Sequence, residues 1–360
     1  MISPSGPVRV LVVDDSALMR RMIRAGLEAG ADIEVIAEAA NTAEARQMIR
    51  QHDPDVVTLD VEMPGMNGIE FLKKIMELRP TPVIMVSTLT AAGTEVSLAA
   101  LQIGAIDAIP KPSGREEVAR FGRALRESVL LARMAWPRGQ GAATKSAPAD
   151  SNPPLAALRS RRIARPELIA IGASTGGVAA LSELLAMLPP TLPPVVVTQH
   201  MPPMFTERFA GRLDALLPHA VSQAVPGEVL APGQIRIAPG DMHLTVARAG
   251  GRLVTRLDGS GPISGHRPSV DVLFNSVATA VGGRALGVIL TGMGRDGAAG
   301  MRALHNTGAW CIGQSQESCV VYGMPRAARE LQAVDEEADL PGIARRMSEI
   351  LNTRSAIRTA

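Results

Sequence analysis

The chain has 360 residues, 46% hydrophobic but only 2% aromatic, with a formal net charge of +2. This excludes a disordered chain, allows two or three domains with aliphatic cores in which Met fills gaps, and, without a basic block, weighs against nucleic acid as the main partner. Two cysteines (Cys311 and Cys319, read as small buried residues), no bilayer-length apolar run and no signal-peptide pattern lead to the expectation of a cytoplasmic protein in a reducing compartment.

The N-terminal third alternates strand and helix. Val8–Val13 reads as a buried strand with Asp14 and Asp15 at its carboxyl end, and Ser16 as the N-cap of a helix through about Glu28. A strand over 33–37 and a helix over 42–51 follow. A third strand, 55–59, ends in Asp60, and the Pro and Gly residues of 63–68 force a loop before a helix over 67–78. A strand over 82–86 ends in Ser87, a helix covers 93–103, and a short strand over 105–109 leads to Pro110-Lys111-Pro112. A last helix spans about 115–134. Five such units imply a parallel sheet with helices on both faces.

The strand ends carry the chemistry. Asp14, Asp15 and Asp60 converge on one edge, where their mutual repulsion is relieved by a hard divalent cation held by oxygen. Lys111 adds an ammonium and Ser87 a hydroxyl. Mg²⁺, carboxylates, lysine and hydroxyl together suit a phosphoryl group held on one aspartate. Singly, these residues read as solvated caps.

From Trp136 to about Arg165 the apolar period disappears and Pro, Gly, Ala and Ser dominate, as in a flexible linker. Leu168-Ile169-Ala170-Ile171-Gly172-Ala173-Ser174-Thr175-Gly176-Gly177 then reads as a buried strand running through a glycine-flanked serine into a helix. The helix start offers free backbone N–H groups to a developing negative charge. A phosphate-binding or purely structural glycine turn has the same pattern. A second aliphatic strand, 195–199, ends in His200. A third, 286–290, leads to a Gly-rich turn carrying Asp296. Three parallel strands would thus deliver Ser174, His200 and Asp296 at their carboxyl ends, as nucleophile, base and the anion that orients the base. The order Ser, His, Asp differs from the Ser, Asp, His of α/β-hydrolases. The turn His266-Arg267-Pro268-Ser269 reads equally as a cleft lining or as a helix N-cap beside a solvated His-Arg pair. Asn352–Ala360 is expected to fray.

Residues 8–128 resemble a response-regulator receiver domain, through Val-Asp14-Asp15-Ser, Asp60-Val-Glu-Met-Pro-Gly-Met-Asn-Gly, Val-Ser87 and Lys111-Pro112. The resemblance implies phosphorylation of Asp60, Mg²⁺ held by Asp14, Asp15 and Asp60, Ser87 as switch hydroxyl, Lys111 as phosphate contact and a cis Lys111–Pro112 bond. One departure is that positions 107–109 are Asp, Ala and Ile, where receivers carry an aromatic, so an aromatic flip is not expected. Residues 166–353 resemble the catalytic domain of the chemotaxis protein-glutamate methylesterases, the CheB family. The match rests on Ile-Gly-Ala-Ser174-Thr-Gly-Gly, Gln-His200-Met-Pro, Gly-His266-Arg-Pro-Ser-Val-Asp271, Thr-Gly-Met293-Gly-Arg-Asp296-Gly and Ser318-Cys319-Val-Val-Tyr322-Gly-Met-Pro. It implies hydrolysis of glutamyl methyl esters on chemoreceptors, often with deamidation of receptor glutamines. The oxyanion site is then the Met293 N–H and the neighbourhood of Thr175, with no metal in the esterase step.

The implied fold is α/β: two doubly wound parallel-sheet domains, a flavodoxin-like receiver (8–128) and a Rossmann-like methylesterase domain (166–353), joined by a linker (129–165). The implied partners are methylated chemoreceptors and a chemotaxis histidine kinase as phosphodonor, without nucleic acid or membrane insertion. A phosphorylation-controlled binding protein, and a same-family esterase acting on a non-chemotaxis receptor array, are the competing readings. A tethered receiver has a high effective concentration beside the esterase, so inhibition by the unphosphorylated receiver is expected.

Overall fold

The structure, a computed structural model, describes residues 6–63, 66–88, 90–135 and 165–352. Residues 136–164 of the expected linker (129–165) and 353–360 of the expected frayed end (352–360) lie outside them. The chain divides into two compact units.

The N-terminal unit runs β1 (Val8–Val13), α1 (Ala17–Leu27), β2 (Ile33–Ala39), α2 (Thr42–His52), β3 (Val56–Asp60), α3 (Gly68–Leu78), β4 (Val83–Ser87), α4 (Ala91–Ile103), β5 (Asp107–Pro110) and α5 (Arg115–Ala135). Its five strands form one parallel sheet in the order β2-β1-β3-β4-β5. Every residue of β3 and β4 is buried, as Val- and Ile-rich strands covered on both faces must be. The helices start where side chains satisfy their free N–H groups. Ser16 accepts from Met19 N, and Asn41 accepts from Glu44 N while the Glu44 carboxylate accepts from Ala40 N just ahead of the cap. Helix α5 continues past the boundary expected at 128, because Val129 and Ala132 are fully buried. The strand order reverses between β1 and β3, which opens a crevice at their carboxyl ends.

The C-terminal unit runs β6 (Leu168–Ala173), α6 (Gly177–Ala186), β7 (Val195–Gln199), α7 (Pro203–Leu216), β8 (Ala220–Gln223), β9 (Gln234–Ile237), β10 (His243–Ala249), β11 (Arg252–Asp258), α8 (Val270–Ala280), β12 (Ala285–Ile289), α9 (Ala298–Asn306), β13 (Trp310–Gln314), α10 (Met324–Glu330), β14 (Glu336–Ala338) and α11 (Leu340–Asn352). Seven strands form a parallel sheet in the order β14-β13-β12-β6-β7-β9-β8. The chain leaves β6 towards β7 on one side and returns to β12 on the other, so β6 is the switch point. The core is aliphatic; Phe205, Phe209 and Phe274 are its fully buried rings. The antiparallel hairpin β10–β11, absent from the sequence reading, closes through Gly250-Gly251, both at positive φ (56° and 79°). Such a two-residue turn needs left-handed backbone at both positions. Among the described residues no helix is long and apolar enough to cross a membrane.

Candidate active site and acidic pocket

Strand β6 delivers Ser174 at the carboxyl edge. The left-handed residue of the turn is not the serine but Gly176, at φ 78°, which caps α6. A Cβ on Gly176 would also lie 2.6 Å from Val320 Cβ. The turn is tied on every side: Ser174 N donates to Thr291 O (3.0 Å), Gly177 N to Ser174 O (2.7 Å) and Gln199 Nε2 to Ser174 O (2.9 Å).

The neighbouring strand β7 ends at Gln199, and His200 follows. Strand β12 lies on the other side of β6, and the loop after it brings Asp296. The three expected residues meet in one chain of hydrogen bonds. His200 Nδ1 lies 3.0 Å from Ser174 Oγ, and Nε2 lies 2.8 Å from Asp296 Oδ2. Because the carboxylate accepts, Nε2 carries the hydrogen and Nδ1 is left to accept from the serine hydroxyl. Asp296 accepts three more bonds: from Ser269 Oγ (2.7 Å), Val270 N (2.7 Å) and Asp271 N (3.1 Å). Burial alone would raise its pKa, but the bonds from His200, Ser269 and Val270 outweigh it and hold the carboxyl down at about 2. It is therefore an anion at neutral pH. The N–H groups of Thr175 and Met293, the expected oxyanion donors, give no hydrogen bond to a described residue.

Four further residues shape this site: Gln199 and Thr291, to which the sequence assigned no role, and Ser269 and His266, whose turn read equally as a cleft lining or as a helix N-cap beside a solvated His-Arg pair. Gln199 ties the elbow to β7. Thr291 Oγ1 donates to Thr175 O (2.9 Å) and accepts from Val321 N (2.9 Å), and so fastens the elbow to the loop before α10. Ser269, the N-cap of α8, spends its hydroxyl on both Val272 N and Asp296. His266 is not part of that cap. Its ring stacks on His200, with centroids 3.8 Å apart and planes 8° from parallel. Burial first, and then the His200 charge, push its pKa down to about 4. All four lie inside the quoted motifs, but nothing in their spacing indicates contacts across 25 residues or more. Cys311 is buried and Cys319 half-buried, and neither is in a disulfide.

In the N-terminal unit, ligand oxygens of Asp14, Asp15 and Asp60 lie within 4.8 Å of one another. Asp14 and Asp60 are buried and Asp15 is exposed. Lys111 Nζ spans the first pair, at 2.9 Å from Asp14 and 2.8 Å from Asp60. Burial lifts the Asp60 carboxyl to about 6 against the pull of Lys111. An all-oxygen set of this kind, with one member open to solvent, fits a hard divalent cation. Ser87 Oγ faces Ser97 on α4 at 2.7 Å rather than the aspartates. The Lys111–Pro112 bond corrects an expectation: it is trans, the isomer that X-Pro bonds favour by about 0.5–1 kcal/mol, and the cis bond among the described residues is Arg267–Pro268. Ahead of Lys111, Asp107 is bonded to Ser128 Oγ (2.5 Å) in place of an aromatic ring.

The CheB methylesterase family model matches residues 169–347, and the response regulator receiver domain model residues 10–121. The protein-glutamate methylesterase/protein-glutamine glutaminase 1 of Caulobacter vibrioides is 50% identical over 351 residues, 96% of this chain and 99% of that protein. The protein-glutamate methylesterase/protein-glutamine glutaminase of Salmonella typhi is 46% identical over 353 residues, 98% of this chain and 99% of that one. The crystal structure of the Thermotoga maritima CheB methylesterase catalytic domain matches 52% of this chain and 100% of its own, at 37% identity and a TM-score of 0.50.

Proposed function

Since the chain belongs to the CheB protein-glutamate methylesterase family, with a receiver domain ahead of the esterase, we propose that it is a phosphorylation-regulated serine esterase that demethylates chemoreceptor glutamates. The observation that carries the reading is the hydrogen-bonded line Ser174–His200–Asp296 across the ends of adjacent strands.

In this reading Ser174 Oγ attacks the ester carbonyl carbon while its proton passes to His200 Nδ1. The carbonyl oxygen becomes an oxyanion facing the Thr175 and Met293 N–H groups, each worth about 3–4 kcal/mol. Asp296 steadies the imidazolium. Nδ1–H then protonates the departing methoxide and methanol leaves. Water, losing its proton to the same nitrogen, cleaves the acyl-enzyme to glutamate and free Ser174. A receptor glutamine carboxamide follows the same course with ammonia as leaving group.

Asp60 is the phosphoryl acceptor, with Lys111 as phosphate contact and Ser87 as switch hydroxyl. Asp14, Asp15 and Asp60 would hold Mg²⁺, which when bound neutralises charge between the carboxylates and an incoming phosphate. The partners are methylated chemoreceptors and a chemotaxis histidine kinase, in the cytoplasm. The proposed organisation is a receiver that extends past the expected boundary at 128 to the end of α5 at Ala135, a linker, and a methylesterase domain (166–353).

The test is methanol release from membranes bearing methylated chemoreceptors. Ser174→Ala should lower it by at least about 10⁴-fold with an unchanged circular dichroism spectrum. Substantial turnover by the folded variant would remove Ser174 as nucleophile. Phosphate labelling from acetyl phosphate should need Mg²⁺ and vanish in Asp60→Asn; labelling that survives would put the phosphosite elsewhere.

A further inference from the structure

His266 is half-buried, and its ring nitrogens bond to no described residue, so hydrogen bonding does not account for its position. The loop that carries it, between β11 and α8, is firmly held. Arg267 pairs with Asp241 and donates to Gly259 O and Ser260 O at 3.0 Å each. Ile263 and His266 exchange backbone bonds of 3.0 and 2.9 Å. Ser269 N donates to His243 Nδ1 at 3.1 Å, and Ser269 Oγ to Asp296. One loop therefore fixes the carboxylate that orients His200 and also lays a flat ring on His200.

We propose that His266 is a positioning residue, an uncharged platform that holds the His200 ring in the plane joining Ser174 to Asp296. The inference rests on the reading of Ser174 as nucleophile. An imidazole turns easily about its terminal torsion, which has broad minima. Two end-on hydrogen bonds hold it only while both partners are present. In the acyl-enzyme Ser174 Oγ is an ester oxygen without a hydrogen, and Asp296 alone grips the ring. A face-to-face neighbour blocks the remaining rotation while water is activated. The neighbour must stay neutral beside the imidazolium that forms. Among the described residues, the charged groups that act on His266 are His200 and Asp296, while the neighbouring Arg267 is paired with Asp241. Burial and His200 keep His266 unprotonated down to about pH 4.

The test uses the full chain and phenylmethylsulfonyl fluoride, which needs no receptor. Ser174 Oγ displaces fluoride from sulfur, the proton goes to His200, and the adduct on Ser174 is read by mass spectrometry. His266→Phe keeps a flat neutral ring, His266→Leu keeps bulk without flatness and His266→Ala keeps neither. Circular dichroism checks each fold, and the Leu variant decides if the Ala variant is unfolded. The expected result is that Phe labels within about 3-fold of the natural chain, while Leu and Ala are about 10- to 100-fold slower. On methylated receptors the loss should fall on kcat, with KM within about 2-fold. Leu and Ala labelling at the natural rate would overturn the proposal. So would a Phe variant as slow as Ala, which would assign the effect to the ring nitrogens. A natural chain that never labels at Ser174 overturns the nucleophile and this inference together. One that labels with this His266 dependence but releases no methanol upholds the inference and removes only the substrate assignment.

Discussion

Asp296 accepts bonds from four donors, and its ionisation follows from them. Its folded pKa of about 2 lies below the ordinary 3.8, so it stabilises the fold above pH 4, and that stabilisation is lost as pH falls towards 2. Asp296→Asn should leave the fold intact at neutral pH but remove the acceptor that fixes the His200 tautomer. Methanol release is expected to drop by about 10⁴-fold. His266 has the opposite chemistry and the same direction. Its folded pKa, about 4, lies below the ordinary 6.5, so between those values the unfolded chain takes up a proton that the folded chain refuses. Stability therefore falls as pH drops through that window. Urea unfolding of the C-terminal unit at pH 7 and pH 5 should show the natural chain losing about 1–2 kcal/mol more than His266→Phe. Equal losses would mean that His266 titrates normally. Ser174, His200 and Asp296 were legible in the sequence because each ends or follows an aliphatic strand. Ser269 and the Val270 and Asp271 amides were not, because a backbone N–H has no residue identity to read and the pairs lie 25–27 positions apart.

At the scale of elements, the serine turn works because two neighbouring segments are fastened to it. Thr291 is the fastening on the β12 side, accepting from one backbone N–H and donating to one carbonyl. Thr291→Val keeps shape and volume but leaves Val321 N and Thr175 O unpaired in a buried place. Chemical unfolding should show the C-terminal unit destabilised by about 1–3 kcal/mol. The esterase rate should fall with it, because the Thr175 N–H shares the loosened peptide segment. No change in either would mean that the elbow is held by β6 and Gln199 alone. The long buried strands were readable, since runs such as Leu168–Ile171 and Val195–Val197 have no polar face. The hairpin β10–β11 carried a readable Gly-Gly turn, but its Arg and Thr content hides the alternation. Strands β8 and β14, of four and three residues, have no fully apolar stretch to betray them. The extent of α5 was legible, expected over 115–134 and found at Arg115–Ala135, although the domain boundary was set at 128, inside it.

At the scale of the whole molecule, the two units carry complementary chemistries: an acidic pocket suited to a phosphoryl group and a serine line suited to an ester. If the unphosphorylated N-terminal unit restrains the esterase, a fragment from Pro154 onward should release methanol faster than the full chain. Phosphorylation of the full chain should then close most of that gap; a fragment no faster than the unphosphorylated chain would assign the receiver a stimulatory or docking role. The central claim joins both chemistries in one chain, and the initial rate of methanol release from methylated chemoreceptor membranes, with and without acetyl phosphate and Mg²⁺, tests it most directly. The rate should rise with phosphodonor in the natural chain, stay at its basal value in Asp60→Asn, and be absent in Ser174→Ala under either condition. Methanol release by Ser174→Ala, or none by the phosphorylated natural chain, would contradict the account.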